Sequence, residues 1–185
     1  MNVMAKPKMT VDEFLAWAEG KPGKYELIGG IVQQMSPEMA EHVLVKAAVW
    51  AALKAAIKAR KLPCKAYVDG MTVRIDDGRA FVPDASVQCS DKLNRKSVEL
   101  DGPLIVVEVL SPSTATRDAS TKLAGYFALP SIRHYLIVDI EEMSVIHHRR
   151  GESGIIETAV VNDGALALDP PGLEINVADF FEDLE

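Results

Sequence analysis

The sequence predicts an α/β fold in which a mixed β-sheet is flanked by helices, with additional β-hairpins. Helical patterns alternate with short strand patterns along the chain, as in layered α/β domains. Turn-forming pairs, Gly29-Gly30 and Asp77-Gly78, join neighbouring apolar runs and predict the hairpins. Residues 104–110 are apolar at every position but one, which is typical of a central strand buried on both faces.

The chain is predicted to open with a short helix and a hairpin. Thr10 and Glu13 have the spacing of a capping box, which predicts a helix over residues 11–19. Strands are expected over residues 24–28 and 31–35, because both are apolar runs that end at the glycine pair.

A long helix is predicted next. Ser36 is expected to cap it, with Pro37 at its first position. Good helix formers then continue to about residue 60, and Pro63 ends the run. The side that packs on the sheet is expected to include Leu44, Ala48 and Leu53.

The second half of the chain is predicted to be mostly strands around one helix, residues 118–129. The tail, residues 176–181, is expected to be a short helix or an irregular cap. A last hairpin is expected to turn at residues 162–164. Further strands are predicted over 65–68 paired with 71–75, and over 81–88, 134–140 and 143–149.

Size and composition indicate one soluble globular domain. The chain has 185 residues, and 48% of them are hydrophobic. No apolar run is long enough for a membrane span, and the first residues lack the apolar core of a secretory signal. Cys64 and Cys89 match no zinc motif and are expected to be reduced thiols. A cytoplasmic protein with no membrane association is therefore expected.

The charge distribution leaves room for a nucleic-acid partner despite a net charge of −7. No acidic residue lies between His42 and Val68, so this segment is expected to present a basic face. A second basic loop contains Lys92, Arg95 and Lys96. The basic side chains of the first segment are Lys46, Lys54, Lys58, Arg60, Lys61 and Lys65.

Two carboxylates stand in predicted core strands. Glu108 interrupts the apolar run of residues 104–110, and Asp84 follows Pro83 in another apolar strand. A buried carboxylate is costly without a cation or good donors, so both are candidate metal ligands. Hard oxygen ligands suit Mg²⁺ or Mn²⁺. A structural salt bridge or a turn aspartate is the alternative, and for Lys122, which lies four residues after Asp118, an ordinary helical ion pair is the alternative.

The ordered set of motifs resembles the Uma-two family of restriction endonuclease-like proteins. It comprises the hairpin sequence Tyr25-Glu26-Leu27-Ile28-Gly29-Gly30, the pairs Glu41-His42 and Pro83-Asp84, and the run from Val106 to Thr114 around Glu108. Asp118, Lys122 and Tyr126 follow, and then the strand that starts at His134. The resemblance covers residues 10–181.

The resemblance implies a restriction endonuclease-like fold of the PD-(D/E)xK superfamily, with residues 1–185 as a single nuclease-like domain. It implies a metal ion, Mg²⁺ or Mn²⁺, held by Asp84 and Glu108. It also implies an essential lysine, and since Leu110 fills the usual position, Lys122 on the next helix is expected to point at the two carboxylates. Glu26 is the remaining acidic candidate of the hairpin, where Gly29 and Ile31 replace acidic residues.

The function that follows is a metal-dependent DNA endonuclease. Asp84, Glu108, Lys122 and Glu26 are expected to be catalytic, and DNA is the expected substrate. His42, Tyr126, Lys92 and Arg95 are expected to contact that substrate, and a homodimer is expected because restriction-type nucleases often pair to cut both strands. Two alternatives stay open: an inactive nuclease-fold protein that binds nucleic acid or a protein partner, and a hydrolase of another phosphate ester.

Overall fold

The computed structural model describes residues 8–89, 94–110 and 118–184, apart from the side chains of Asp118 and Ala119. Within them lie three α-helices: α1 (Val11–Ala18), α2 (Ala40–Arg60) and α3 (Asp118–Ala128). Short 3-10 helices cover Glu152–Gly154, Val177–Phe180 and Glu182–Leu184. None of the helices in these ranges is both long and apolar enough to cross a membrane.

Twelve strands accompany the helices in the described part of the chain. They are β1 (Tyr25–Ile28), β2 (Ile31–Gln34), β3 (Cys64–Val68), β4 (Val73–Asp76), β5 (Arg79–Phe81), β6 (Ala85–Cys89), β7 (Ile105–Val109), β8 (His134–Asp139), β9 (Ser144–Arg150), β10 (Ile156–Val161), β11 (Ala165–Leu168) and β12 (Leu173–Asn176).

The main sheet has six strands in the order β10-β9-β8-β7-β6-β3. Only the β7–β8 pair is parallel, so the sheet is mixed, as predicted. β7 lies inside the sheet, and Val106 and Val107, which point to opposite faces, are both fully buried. The apolar run around Glu108 is therefore a central strand, which confirms the prediction.

Each face of the main sheet is covered by one long helix. On one face Val49 and Leu53 of α2 join Val107 in the larger hydrophobic core. On the other face Tyr126 of α3 packs with Val106 of β7 and with Tyr135 and Ile137 of β8. The predicted arrangement of helices on both faces is confirmed.

A second sheet, ordered β2-β1-β5-β4, extends the α3 side of the molecule. The capping box of Thr10 and Glu13 forms as predicted, and α1 packs on this sheet through Val11 and Phe14. Phe81 at the end of β5 meets the Tyr126 ring edge-on, with 5.4 Å between ring centroids. Through this contact α3 lies between the two sheets, which places its side chains beside residues from both.

Helix α2 differs from the prediction at its start and in its buried side. It begins at Ala40, with Met39 as the N-cap, and not at Pro37. The side chain of Glu38 pairs with Lys24, in the segment before β1, and folds back onto Lys46 of α2 itself. Leu53 is buried as expected, but Leu44 is 41% exposed and Ala48 is partly exposed. The buried stripe instead contains His42, Val45, Lys46, Val49, Leu53 and Ile57.

Three predicted strand relationships are wrong. β3 pairs with β6 and not with β4, because the chain turns away at Asp69 and Gly70, both of which have positive φ. Residues 81–88 form two strands in different sheets, since Pro83 in the link has no N–H for a ladder. The turn at residues 162–164 likewise joins two sheets, and β11 pairs with β12.

The expectation of reduced thiols is also wrong. Cys64 of β3 stands directly opposite Cys89 of β6 in the antiparallel pair, and the two form a disulfide.

Gly125 lets α3 approach β5. A Cβ atom at this position would lie 2.6 Å from Cε2 of Phe81, which is fully buried against Tyr126. We expect Gly125→Ala to lower the free energy of unfolding by about 1–3 kcal/mol, despite the better helix propensity of alanine, because the core has no room for the methyl group. Urea denaturation measures the change. Ala124→Ser, at the exposed neighbouring position, is the control, and a Gly125→Ala variant more stable than wild type contradicts the packing argument.

Two buried histidines connect β8 and β9 to the turn before β12. Nε2 of His134 donates to the carbonyl oxygen of Pro170 at 2.9 Å. In a neutral His134 ring Nδ1 then accepts the hydrogen bond from Nε2 of His147, also at 2.9 Å. Burial lowers the pKa of His134 to about 4, and burial together with His134 lowers the pKa of His147 to about 4.

This pair predicts a loss of stability in mild acid. The folded pKa values lie below the value of about 6.5 for an exposed histidine, so the unfolded chain binds more protons in this range. The stabilisation is complete above pH 6.5 and is lost as pH falls toward 4, by about 1.4 kcal/mol per pH unit for each histidine. Urea denaturation between pH 7 and pH 4.5 measures the slope. His147→Gln should flatten it, and an equal slope in this variant would assign the acid sensitivity elsewhere.

Candidate active site

Three carboxylates lie where the two sheets meet α3: Glu26 and Asp84 are buried, and the Glu108 side chain is 12% exposed. The β6–β7 register pairs Ala85 with Val107, which places Asp84, just before β6, beside Glu108 in β7. Glu26 comes from β1 of the second sheet and accepts a hydrogen bond from the Val82 amide at 2.8 Å. Asp84 accepts one from the Val109 amide at 2.7 Å. Backbone donors thus hold two of the carboxylates in place.

Lys122 of α3 lies between two of these acids. Its Nζ is 3.0 Å from Oε1 of Glu26 and 3.0 Å from Oε2 of Glu108. The side chain is buried, and one helical turn further Tyr126 donates its hydroxyl hydrogen to Oε1 of Glu108 at 2.6 Å. Helix α3 therefore presents an ammonium group and a phenol to the same carboxylate.

The electrostatic state of Glu108 follows from its surroundings. Burial, together with the Asp84 and Glu26 carboxylates, raises the pKa of Glu108 to about 8, although Lys122 and Tyr126 act in the opposite direction. Burial and the nearby Glu108 raise the pKa of Tyr126 as well, so its phenol remains a donor. Three acids share this region with one lysine from α3, so the region favours a further positive charge.

Helix α2 supplies a second group of contacts to Asp84. Nζ of Lys46 lies 3.0 Å from Oδ1 of Asp84, and Lys46 is almost fully buried. His42, one turn earlier, donates from Nε2 to the carbonyl oxygen of Val109 at 2.8 Å and lies 3.9 Å from Oδ2 of Asp84. Asp84 thus stands between the strand ends and the first turns of α2.

The same lysine extends the charge network outward. Lys46 contacts Glu38 at 2.9 Å and Asp69 at 2.6 Å, and Lys24 pairs with both of these acids. Burial works to raise the pKa of Glu38, but hydrogen bonds from Lys46 and Lys24 outweigh it and hold this pKa at about 2. The same partners lower the pKa of Asp69. The site therefore contains five acids, Glu26, Glu38, Asp69, Asp84 and Glu108, against three lysines, Lys24, Lys46 and Lys122.

Four predicted residues lie together: Glu26, Asp84, Glu108 and Lys122, with direct ion pairs from Lys122 to the two glutamates. Tyr126 is fully buried and donates a hydrogen bond to Glu108, and its predicted contact with substrate stays a prediction. His42 is also buried and faces Val109, Asp84 and Glu38. Arg95 is exposed, and Lys92 lies outside the described residues.

The predicted basic face is only partly as expected. Lys46 is buried in the charge network and does not belong to a surface. The remaining five basic residues of the segment are exposed. Lys61 follows the last turn of α2, roughly 20 Å along the axis from Lys46 at the usual rise per residue, so this basic surface and the acidic cluster lie at opposite ends of the helix.

The sequence analysis missed Glu38, Asp69, Lys24 and Lys46 as members of the site. A signal for Lys46 was present in the sequence. Residues 42, 46, 49, 53 and 57 follow the spacing of one helical face, so a lysine at 46 shares the face of Val49, Leu53 and Ile57. A lysine inside an apolar stripe needs carboxylate partners. Nothing in the sequence identifies Glu38 or Asp69 as those partners, because both lie in connecting segments whose position depends on the folded sheet.

The comparisons define the class of protein first by its fold. A crystal structure described as a putative nuclease belonging to DUF820, from Anabaena variabilis, matches with a TM-score of 0.75. It is 21% identical in sequence, and the match covers 96% of this chain and 99% of that one. The restriction endonuclease-like arrangement of a mixed sheet flanked by helices is thereby confirmed.

The family follows from the sequence match. The model of the Uma2 family, described as "Putative restriction endonuclease", matches residues 11–178. The protein belongs to this family. A relative in Synechocystis sp., "Uncharacterized protein slr1290", is 27% identical over 159 residues, covering 80% of this chain and 77% of the relative.

Proposed function

We propose that this protein is a metal-dependent endonuclease that hydrolyses phosphodiester bonds in DNA. The observation that carries the proposal is the position of Lys122. Nζ of Lys122, on α3, lies 3.0 Å from Oε2 of Glu108. In the common nuclease motif the lysine stands two residues after the acidic residue, and in this sequence that position is Leu110. Family membership supports the same class of reaction.

The residues around Asp84 and Glu108 fit a divalent cation. Each of the four carboxylate oxygens already has a donor, and two of these donors are the ammonium groups of Lys46 and Lys122. The two carboxylates therefore attract positive charge, and a Mg²⁺ or Mn²⁺ ion, which prefers hard oxygen donors, would take the place of an ammonium contact. When bound, such an ion polarises the phosphate and lowers the pKa of a water molecule.

The residues of the chain would then have separate tasks. Asp84 and Glu108 hold the ion, and the backbone amide of Val109 fixes the orientation of Asp84. Lys122 offsets the charge that builds on the attacked phosphate, as a fixed cation in a water-poor site does. Glu26 keeps the Lys122 ammonium in position from the side of the second sheet, and Tyr126 holds Glu108.

Exposed basic side chains would bind the phosphate backbone without reading sequence. Lys54, Lys58, Arg60, Lys61 and Lys65 form one such surface, and Arg95 stands on another loop. These contacts, a homodimer and a cytoplasmic location stay predictions.

An inactive nuclease-fold protein that binds nucleic acid is a second candidate. It is favoured by the two lysines, since Lys46 and Lys122 already balance part of the charge that a metal ion would otherwise neutralise. The assay described next separates the two functions.

The experiment is a cleavage assay on plasmid and single-stranded DNA with Mg²⁺ or Mn²⁺. We expect cleavage by the wild type and loss of more than about a hundredfold in Glu108→Ala, because a carboxylate that holds the ion is removed. Glu157→Ala removes an exposed carboxylate from β10 and is the matched control. DNA binding without cleavage by the wild type, with either ion, would favour the second candidate. Equal cleavage by Glu108→Ala would remove Glu108 from the mechanism.

A further inference from the structure

Three potential ligands from different elements lie together at the start of α2. One ligand atom each from Glu38, His42 and Asp84 lie within 4.8 Å of one another. His42 and Asp84 are buried and Glu38 is half-buried. We propose that these three residues form a cation site of their own, which takes a borderline divalent ion such as Co²⁺ or Zn²⁺ through one imidazole nitrogen and two carboxylates.

The state of the His42 ring supports this proposal. Its Nε2 is 2.8 Å from the Val109 carbonyl oxygen, which only accepts, so Nε2 carries the proton. In the neutral ring the lone pair is then on Nδ1. This atom is buried and has no hydrogen-bond partner in the part of the chain that the structure describes. A histidine that donates one nitrogen to a backbone carbonyl and leaves the other free has the arrangement of a metal ligand.

The free nitrogen faces a carboxylate. Nδ1 of His42 lies 3.5 Å from Oε2 of Glu38, which is too long for a good hydrogen bond. A lone pair and a carboxylate oxygen repel each other unless a positive charge lies between them. Two ligands that each lie about 2.1 Å from a tetrahedral ion are about 3.4 Å apart, so the observed spacing suits a bridging cation.

The charge balance leaves room for such an ion. Glu38, Asp69 and Asp84 carry three negative charges, and Lys24 and Lys46 carry two positive charges. With a neutral His42 the group therefore keeps one negative charge. A divalent cation would meet attraction here, although the Lys46 ammonium shares both carboxylate ligands with it.

The donor set determines which ion is favoured. Imidazole suits Zn²⁺ and similar borderline ions better than Mg²⁺ or Mn²⁺, which prefer carboxylate oxygen and water. The proposed site thus differs from the pair of Asp84 and Glu108, whose donors are all oxygen. The cation site of Glu38, His42 and Asp84 can exist whether or not the protein cuts DNA. Asp84 is the one residue that it shares with the pair of Asp84 and Glu108.

A measurement on the wild-type protein tests the ligand directly. The chain has four histidines, whose ring nitrogens are resolved by long-range ¹H–¹⁵N NMR of ¹⁵N-histidine-labelled protein. On addition of Zn²⁺ we expect Nδ1 of His42 to move to the shift of a metal-bound nitrogen, with Nε2 still protonated. A His42 signal that does not change while Zn²⁺ is in excess overturns the proposal. So does an apo spectrum in which both His42 nitrogens carry protons and keep them, because the ring is then an imidazolium paired with Glu38.

Variants separate this site from the proposed active site. We expect His42→Gln and Glu38→Gln each to weaken Zn²⁺ binding by more than about tenfold, measured by calorimetric titration, since even groups behind the ligands are often worth that much. Glu108→Gln should leave the Zn²⁺ titration of the His42 Nδ1 signal unchanged, and His148→Gln is the control for loss of a histidine away from the site. Equal Zn²⁺ affinity in His42→Gln and wild type overturns the site, whatever the cleavage assay shows.

Discussion

Replacing Lys46 with methionine should lower the free energy of unfolding by about 3–5 kcal/mol, the usual cost of leaving buried charges without a partner. Nζ of Lys46 contacts Glu38, Asp69 and Asp84, and the side chain is only 4% exposed. Methionine keeps most of the volume but offers no donor. Two of the acids retain Lys24, whereas Asp84 would keep only the Val109 amide and the neighbouring His42.

Urea denaturation of Lys46→Met and Lys58→Met measures this effect. Lys58 is exposed on the same helix, so its replacement should change stability by less than about 0.5 kcal/mol. The difference in the free energy of unfolding between Lys46→Met and wild type should become smaller as pH falls toward 2. The lysines hold the folded pKa of Glu38 below that of an exposed glutamate, so their stabilisation is present above about pH 4 and is lost in acid. If the free energies of unfolding of Lys46→Met and wild type differ by less than about 1 kcal/mol at pH 7, water replaces the ammonium group as the partner of the acids.

The strand that carries Glu108 shows why part of the site was predictable. The sequence alone identifies an acidic residue inside an apolar run as a candidate site residue. The run predicts that the residue is buried, and a buried carboxylate requires a compensating charge or hydrogen-bond donors. Lys122 was identified only through the family resemblance. On its own it has the spacing of an ordinary helical ion pair with Asp118, and its neighbours Glu26 and Glu108 lie 96 and 14 positions away.

Helix α2 shows why the rest of the site was missed. Its sequence is rich in alanine, leucine and lysine on all sides, so the composition predicts the helix but leaves its buried side ambiguous. The prediction placed Leu44 on the buried side of α2, and on that assumption the lysines of the helix, Lys46 included, face solvent. The sheet buries the side of Val45 and Val49 instead, which brings Lys46 to Asp84.

The connections between strands were the least predictable part of the fold. The sequence around Pro83 predicts one strand from Phe81 onward, yet the chain leaves one sheet and enters the other there. This crossing places Asp84 at the start of β6, an internal strand of the main sheet, and lets the Val82 amide reach Glu26. Such a crossing depends on long-range pairing with β1 and β7, which no local pattern contains.

Replacement of Lys122 by methionine should abolish cleavage, if the proposed nuclease reaction occurs. The loss should exceed roughly a hundredfold, since one fixed charge at a reacting phosphate is typically worth about 3 kcal/mol. Lys122 is the residue of α3 whose ammonium reaches Glu108, and Leu110 on the strand has no charge to replace it. Neither Tyr126, a buried neutral donor, nor the Glu26 carboxylate can take over this task.

The variant should remain folded and should still bind the metal ion. The pKa of Glu108 is already about 8 with Lys122 present, and without Lys122 burial and the acids Asp84 and Glu26 raise it with less opposition. Glu108 is therefore protonated in the variant at neutral pH and does not stay as an unpaired charge. A metal ion added at neutral pH would displace that proton and restore the carboxylate. Calorimetry of Mn²⁺ binding and a circular dichroism melt are therefore needed beside the rate measurement.

Single-turnover cleavage of plasmid DNA by wild type, Lys122→Met and Lys21→Met decides the role of this lysine. Lys21 is exposed near the ring of Trp17, so its replacement should leave the rate unchanged. A Lys122→Met protein that is folded, binds Mn²⁺ and cleaves at the wild-type rate would show that the lysine serves the fold alone. A protein that is folded and binds Mn²⁺ but does not cleave would assign the charge at the phosphate to Lys122, because the melt then excludes unfolding and the calorimetry excludes loss of the metal ion as the cause of the lost activity.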